Sequence, residues 1–360
     1  MEHHVIGIGQ GGCRIANQLS AYTKSFSVIN SNEIDLEDVD ASVPRFILKD
    51  DKGQAIGVGA DPDFGLKLFK AHKEDLGVFL NAALTGADME DSCIWICAAL
   101  GGGTGSAGVI PVTNLIHSLK PAVVNVVVAL PAESDGINKA RNALDVLFDI
   151  YTKLCVDHRK ANLLILDNAN YPGIKQANAA LRSSIVYLLD RFPELQSFGD
   201  GIGHADERDL VSVLKQKSGC LTITEGEVDN IYCDHNRYFF NQYFQSFLGL
   251  DYEMLPTGVW LRDHTSGKNR SYIRDFMNDH KATVMFCGEY QKLHTTHQVD
   301  IGNKLINGTT IMIMAGLPLP PPLVEKRRQL LGNYKEYQDR TAGRGKVRTA
   351  NRISVRKVKL

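Results

Sequence analysis

The chain has 360 residues, 44% of them hydrophobic and 22% charged, with a formal net charge of −1. That is enough for a large core and two domains of ordinary size, and the balance is that of a globular protein, not a disordered or fibrous one. No apolar run approaches the roughly 20 residues that cross a bilayer. The start "MEHHVIGIG" enters strand-like sequence with no basic leader, so a reducing cytoplasm is the expected location, with no membrane partner. Seven scattered cysteines, none in a CxxC pair, then read as buried small hydrophobes. His3 and His4 stand near the start of the chain, where exposure is the expectation.

In chain order, Val5–Ile8 reads as a buried strand, Gly9–Gly12 as a loop and Arg14–Tyr22 as a short helix. Phe26–Ile29 is the next strand, followed by polar, turn-rich sequence to Gly59 and a helical pattern over Phe64–Leu84. Ser92–Ala99 is a strand, Ala107–Leu119 a helix, Val123–Leu130 a Val-rich strand, Asn138–Leu154 a helix and Leu163–Leu166 a strand. Short apolar runs alternating with longer helical segments predict βαβ units and a parallel sheet. Ile174–Phe192 is a long helix, with Ile174, Ala177, Leu181, Ile185 and Leu188 at helical spacing. Strands are then expected at Cys220–Thr224, Gly258–Asp263, Ala282–Tyr290 and Thr309–Leu317. Pro318–Pro322 breaks the chain, and Glu325–Arg340 is a charged helix. The expected organisation is a Rossmann-like nucleotide domain over 1–173, a central helix over 174–198, and a smaller α/β domain over 199–319. A C-terminal helix over 320–340 and a basic tail over 341–360 complete it.

Two glycine-rich turns, each after a buried strand and before a helix, carry the chemistry. Glycine lets backbone N–H groups approach an anion, and a helix N-terminus adds a favourable dipole. Gly7-x-Gly9-x-x-Gly12 matches the dinucleotide fingerprint, but Asn30 stands where the acidic ribose-binding residue belongs. No GxxxxGK[ST] occurs, which disfavours a P-loop. The second turn, Gly101-Gly102-Gly103-Thr104-Gly105-Ser106, is more specific. A β-carbon at Gly103 or Gly105 is expected to occupy the space of phosphate oxygens.

This second turn resembles the signature of the tubulin/FtsZ superfamily of GTPases, and the resemblance recurs in order from residue 5 to about 320. It implies GTP or GDP, with Mg²⁺, held against the Gly101–Ser106 loop. Gly9, Gln10, Gly11, Gly12 and Cys13 resemble the family's first phosphate loop. Asn30, Ser31 and Asn32 occupy its Asn-Thr-Asp turn, and Gly59, Ala60, Asp61 and Pro62 its γ-phosphate loop. Asp135, Gly136 and Lys139 resemble the sugar-contacting loop, Asn168 the base and ribose contact, and Asn178 the reader of the guanine edge. "GIGHADERD", Gly201–Asp209, resembles the activation loop, which in this family completes the site of the next subunit in a head-to-tail filament. Asp206 and Asp209 are the implied catalytic carboxylates. The residues alone leave them open as cap and first-turn residues of the following helix. The chain departs from the pattern at Ala107, Pro111 and His204, and Ile174 stands where many FtsZ proteins place an aromatic.

No protein metal site is expected: His294 and His297 form an HxxH without an acidic base, and the aromatic-rich stretch Tyr238–Tyr252 reads as core helix. The segment Thr341–Leu360 has seven basic residues and no acidic one. The chain resembles most the TubZ group of plasmid and phage tubulins, which implies a DNA-bound TubR-like adaptor for this tail; direct DNA contact is the alternative. An FtsZ-like division protein is a second reading, and an NAD-binding oxidoreductase a third, separated from the others by GTP rather than NAD binding.

Overall fold

A computed structural model describes residues 1–85, 92–119, 122–186, 207–215, 219–227, 283–290 and 309–332, with short pieces at 189, 245–246, 299–301 and 304–306. Strands β1 (Glu2–Ile8), β2 (Ser25–Asn30) and β3 (Arg45–Ile47) alternate with α1 (Gly9–Leu19) and then α2 (Pro62–Ala71) and α3 (Lys73–Ala83). β4 (Ser92–Ala99), α4 (Thr104–Leu119), β5 (Val123–Leu130), α5 (Ile137–Ile150), β6 (Asn162–Asp167) and α6 (Ile174–Val186) continue the alternation. α7 (Glu207–Leu214), β7 (Cys220–Glu227), β8 (Gln245–Ser246), β9 (Thr283–Tyr290), β10 (Val299–Ile301), β11 (Lys304–Ile306) and β12 (Thr309–Leu317) follow, and residues 321–332 are helical. No described helix is long and apolar enough to cross a membrane.

The main sheet has the order β3-β2-β1-β4-β5-β6-β7-β12-β9. Pairing is parallel from β3 to β7. It turns antiparallel where β12 lies between β7 and β9. β5, VVNVVVAL, is buried along its whole length. Helices covering both faces of a parallel sheet produce such near-continuous apolar runs, broken here by Asn125 alone. A polar chain crosses the core: Asn162 Nδ2 donates to Asn125 Oδ1 at 2.8 Å and to the Leu214 carbonyl at 2.6 Å. Asn125 in turn donates to Cys93 Sγ at 2.9 Å. The second of these bonds ties the end of α7 to the amino end of β6.

The chain leaves β1 first toward β2 and later returns to place β4 on the other side. The carboxyl ends of β1 and β4 therefore flank a topological switch point, where open α/β sheets leave a crevice.

Several elements differ from the sequence reading. The Gly9–Gly12 stretch is the first turn of α1, not a loop before it. Likewise α4 starts at Thr104, so the second glycine turn runs directly into helix, and Pro111 sits inside it. The helical run over 64–84 is two helices, broken at His72 (φ −99°, ψ 18°). Strand β3 lies in the polar stretch where the sequence predicts only turns. Ala177, Leu181 and Ile185 are buried as their spacing predicts, while Ile174 faces out. Leu188 and the expected strand Gly258–Asp263 lie outside the described residues.

The two histidines are not exposed: His3 and His4 are both buried in β1. Trp95 Nε1 donates to His3 Nδ1 at 3.2 Å, which requires that nitrogen to be unprotonated. Burial pushes the His3 value down from 6.5 to about 4. Between those values the unfolded chain binds a proton that the fold refuses. Stability is therefore full above about pH 6.5 and should decline by about 3 kcal/mol as pH falls toward 4. Urea melts between pH 4 and 7 would show this; His3→Gln should flatten the slope, and an unchanged slope would contradict the assignment.

Candidate functional site

A cavity of about 550 Å³ opens at the switch point. Its floor is formed by the ends of β1 and β4 and the N-termini of α1 and α4, with Gly9, Gln10, Gly11 and Gly101 to Gly105 on its wall. Neither helix has an acidic residue in its first turn, and α1 has no capping side chain. By contrast α2, one turn away, is capped by Asp61, whose Oδ1 accepts from Asp63 N and Phe64 N at 3.0 Å each. Two helix N-termini converge here with donors turned to one space, an arrangement that favours an anion.

The turns require glycine for identifiable reasons. Gly9 and Gly101 hold φ of +69° and +91°, in the left-handed region that side chains disfavour. The second turn is braced internally, with Gly101 N donating to Ser106 Oγ at 3.1 Å. It is tied to the β2 end through the Ser31 and Thr104 hydroxyls, 2.7 Å apart and buried. Gly57 N donates to the Ser31 carbonyl at 2.8 Å, drawing the 57–60 segment in as a third wall. Ala60 in that segment has φ 61°, a strained setting for a residue with a β-carbon.

A β-carbon at Gly103 or Gly105 would meet protein atoms, not the space expected for phosphate oxygens. A β-carbon at Gly103 would lie 2.2 Å from Val58 Cγ2, and one at Gly105 would lie 2.6 Å from the Ala99 carbonyl oxygen. Both press on protein rather than on the cavity. Gly102 is the member with open space around its β-carbon position.

The remaining residues proposed from sequence distribute as follows. Asn30, Gly59, Ala60, Asp135, Lys139, Asn168 and Asn178 line the cavity together with both glycine turns. Asp135 bridges Ala132 N (3.0 Å) and Lys139 Nζ (3.2 Å) at the rim. Asn168 Oδ1 is buried and lacks a protein hydrogen-bond partner, as expected of a group that waits for a ligand. Gly12, Cys13 and Ser106 do not line the cavity. A β-carbon at Gly12 would lie 2.2 Å from the Cys97 carbonyl oxygen, so Gly12 seats α1 on β4. Cys13 faces β2, with Sγ 4.0 Å from the Ile29 carbonyl, and burial pushes its thiol up to about 12. Asp206 lies outside the described residues; Asp209 falls in the first turn of α7 by its backbone.

The cavity also takes Arg14, Ile15, Asp35 and Ile56, which the sequence reading did not single out. Arg14 was legible, since it lies one helical turn beyond Gln10; Asp35 comes from a single turn, Ile34–Leu36, that no periodicity announces. Ile174, 57% exposed, lines the cavity at the position where many FtsZ proteins place an aromatic.

Residues 2–157 match the family model described as "Tubulin/FtsZ family, GTPase domain". Cell division protein FtsZ 1 of Pyrococcus furiosus is 32% identical over 143 residues, 39% of this chain and 36% of that protein. The chain thus spans well under half the length of the curated FtsZ relatives it matches. Among solved structures, the GTPγS-bound protofilament of CetZ2 from Haloferax volcanii superposes with a TM-score of 0.60 at 16% identity, covering 93% of this chain and 100% of that one. The GTPγS-form protofilament of Bacillus thuringiensis serovar israelensis TubZ gives 0.59 at 15%, covering 95% and 94%. At such identities these structures establish the fold. The chain therefore has the fold of the tubulin/FtsZ superfamily structures, and its residues 2–157 match the model of that family's GTPase domain.

Proposed function

We propose that this chain binds GTP in the switch-point cavity and polymerises head to tail, hydrolysing GTP when residues 201–209 of the next copy close the site. The observation that carries this reading is the convergence of two uncrowded helix N-termini with the orphaned Asn168 amide oxygen in one cavity. The first two suit a polyphosphate; the last suits the donor edge of a base or sugar. Asp206 and Asp209 are the proposed water-orienting carboxylates. Phosphoryl transfer to water needs an oriented nucleophile and charge neutralisation at the γ-phosphate. Mg²⁺ supplies part of that neutralisation when bound with the nucleotide, and Asp35 is the lining carboxylate that would hold its water shell.

An interfacial site is supported by where α7 is anchored. Leu214 is bonded to Asn162 at the amino end of β6, whereas Asn168 follows its carboxyl end. A strand of that length separates the two edges by about 17 Å. The end of α7 is thus held at the sheet edge opposite the cavity, in keeping with a loop before α7 that serves a neighbour's cavity. The domain division at 173, 198, 319 and 340 belongs to this proposal.

The cargo we propose is plasmid or phage DNA, engaged through the Thr341–Leu360 tail and a DNA-bound TubR-like adaptor. The alternation of basic and apolar residues from Arg352 to Leu360 suits a protein groove better than a bare phosphate array. Sedimentation with GTP, and with adaptor-coated DNA, tests both levels. The parent chain should pellet with GTP and not with NAD. Deletion of 341–360 should preserve pelleting but lose the DNA. Val358→Ala should weaken capture as much as Arg356→Ala. If only Arg356→Ala weakens it, with a salt slope falling by about one unit per cation, the tail contacts DNA directly. A tail-less chain that still captures DNA would revive the division-protein reading, and NAD binding would sink the GTP reading.

A further inference from the structure

The helix over 321–332 is pinned to the nucleotide domain at two separate places. Leu319 and Leu323 are buried, and Leu323 N donates to the Pro320 carbonyl at 3.0 Å, fixing how the helix enters. On one side Arg327 stacks over the Phe148 ring at 4.3 Å and reaches Asp145 Oδ1 at 3.1 Å, both on α5. On the other, Lys326 Nζ reaches Asp167 Oδ2 at 3.3 Å. Asp167 ends β6, and its side chain is 6% exposed. Its other oxygen, Oδ1, accepts from Ala169 N at 3.1 Å and so caps the Asn168–Asn170 turn. That turn presents Asn168 to the cavity, and α6, which begins three residues after Tyr171, adds Ile174 and Asn178 to the lining.

One carboxylate thus divides its two oxygens between a distant helix and the turn that forms a cavity wall. With Lys326 removed, a nearly buried charge loses its counter-ion. Without the ammonium the carboxylate plane is no longer fixed from its Oδ2 side, and any rotation toward water weakens the bond from Ala169 N that holds the turn and the entry to α6.

We propose that Lys326 is a positioning residue for the nucleotide cavity: through Asp167 it holds the Asn168–Asn170 turn, so that docking of the 321–332 helix and occupancy of the cavity stabilise each other. By linkage, whatever factor docking contributes to ligand affinity the ligand returns to docking. Arg327 is the internal control, since it pins the same helix without touching the turn.

The inference rests on the cavity being a guanine-nucleotide site, and the test separates the two claims. GTPγS binding is measured on the full chain at concentrations below assembly, alongside thermal midpoints and hydrogen exchange at residues 168–170. Lys326→Ala should raise the GTPγS Kd at least about fivefold. Asp167→Asn keeps an acceptor for Ala169 N but loses the charge; it should cost as much, and the double variant no more than either alone. Lys326→Arg should restore affinity. Arg327→Ala, which leaves the Lys326–Asp167 pair in place, should lower the midpoint as Lys326→Ala does and shift the Kd far less than Lys326→Ala. Exchange at 168–170 should quicken in Lys326→Ala even without nucleotide. If the parent binds GTPγS and Lys326→Ala binds equally well, the inference fails alone. If the parent binds no GTPγS, the cavity assignment fails and takes the inference with it.

Discussion

Gly105→Val should abolish GTP binding and lower stability by on the order of 3 kcal/mol, whereas Gly102→Val should keep the parent's stability and lose affinity alone. At Gly105 the new β-carbon meets the Ala99 carbonyl oxygen at 2.6 Å and the Ile8 carbonyl oxygen at 3.3 Å, both backbone atoms at the ends of the central strands. Neither can yield without displacing β4 or β1, so α4 must lift off and its N-terminus leaves the cavity. Gly9 approaches from the other side, its β-carbon position 2.9 Å from Gly105 N. At Gly102 no heavy atom lies within 4 Å, so a valine side chain fits beside the cavity without strain on the protein. Its cost falls on a ligand that packs against the turn; a loss of tenfold or more is expected. Thermal melts and GTPγS titrations of both variants decide the matter. A Gly105→Val chain that binds normally would contradict the packing argument, and a Gly102→Val chain that binds normally would move the polyphosphate away from this turn.

Asp206→Ala should leave GTP binding by monomers intact and reduce turnover by about 10²–10⁴-fold, the range of a lost water-orienting group. Filaments of this variant should persist, because GTP survives between subunits. Asp209→Ala should do the same to a smaller extent if Asp209 also serves the first turn of α7, whose backbone begins at Glu207. The informative mixture combines Asp206→Ala with Gly102→Val. The first supplies a competent cavity and the second a competent loop, so the blend should recover hydrolysis at the interface where the two meet in the right order. Recovery in no mixture, with normal hydrolysis by isolated Asp206→Ala monomers, would remove the carboxylate from the mechanism.

Much of the nucleotide half was readable because its signals are local. Near-continuous apolar runs such as Val123–Leu130 reflect burial on both faces, and the glycine turns reflect positive φ at Gly9 and Gly101 and close backbone approach at Gly12 and Gly105. The element starts were harder. Glycine weakens the helical signal, so the first turns of α1 and α4 read as loop, although tertiary packing on β4 makes them helix. His3 and His4 were misjudged because position near the start of the chain says nothing of a central strand placed between two neighbours. Asn168 was legible only through resemblance; its orphaned oxygen is a fact of three dimensions. The pairing of Lys326 with Asp167 spans 159 positions, and no periodicity links them.

The dependence of GTPase activity per subunit on protein concentration tests the central claim most directly. If one copy completes the cavity of the next, specific activity should be near zero at high dilution and rise sharply at the concentration where filaments first sediment. A specific activity that stays constant from well below that concentration would contradict an interfacial site.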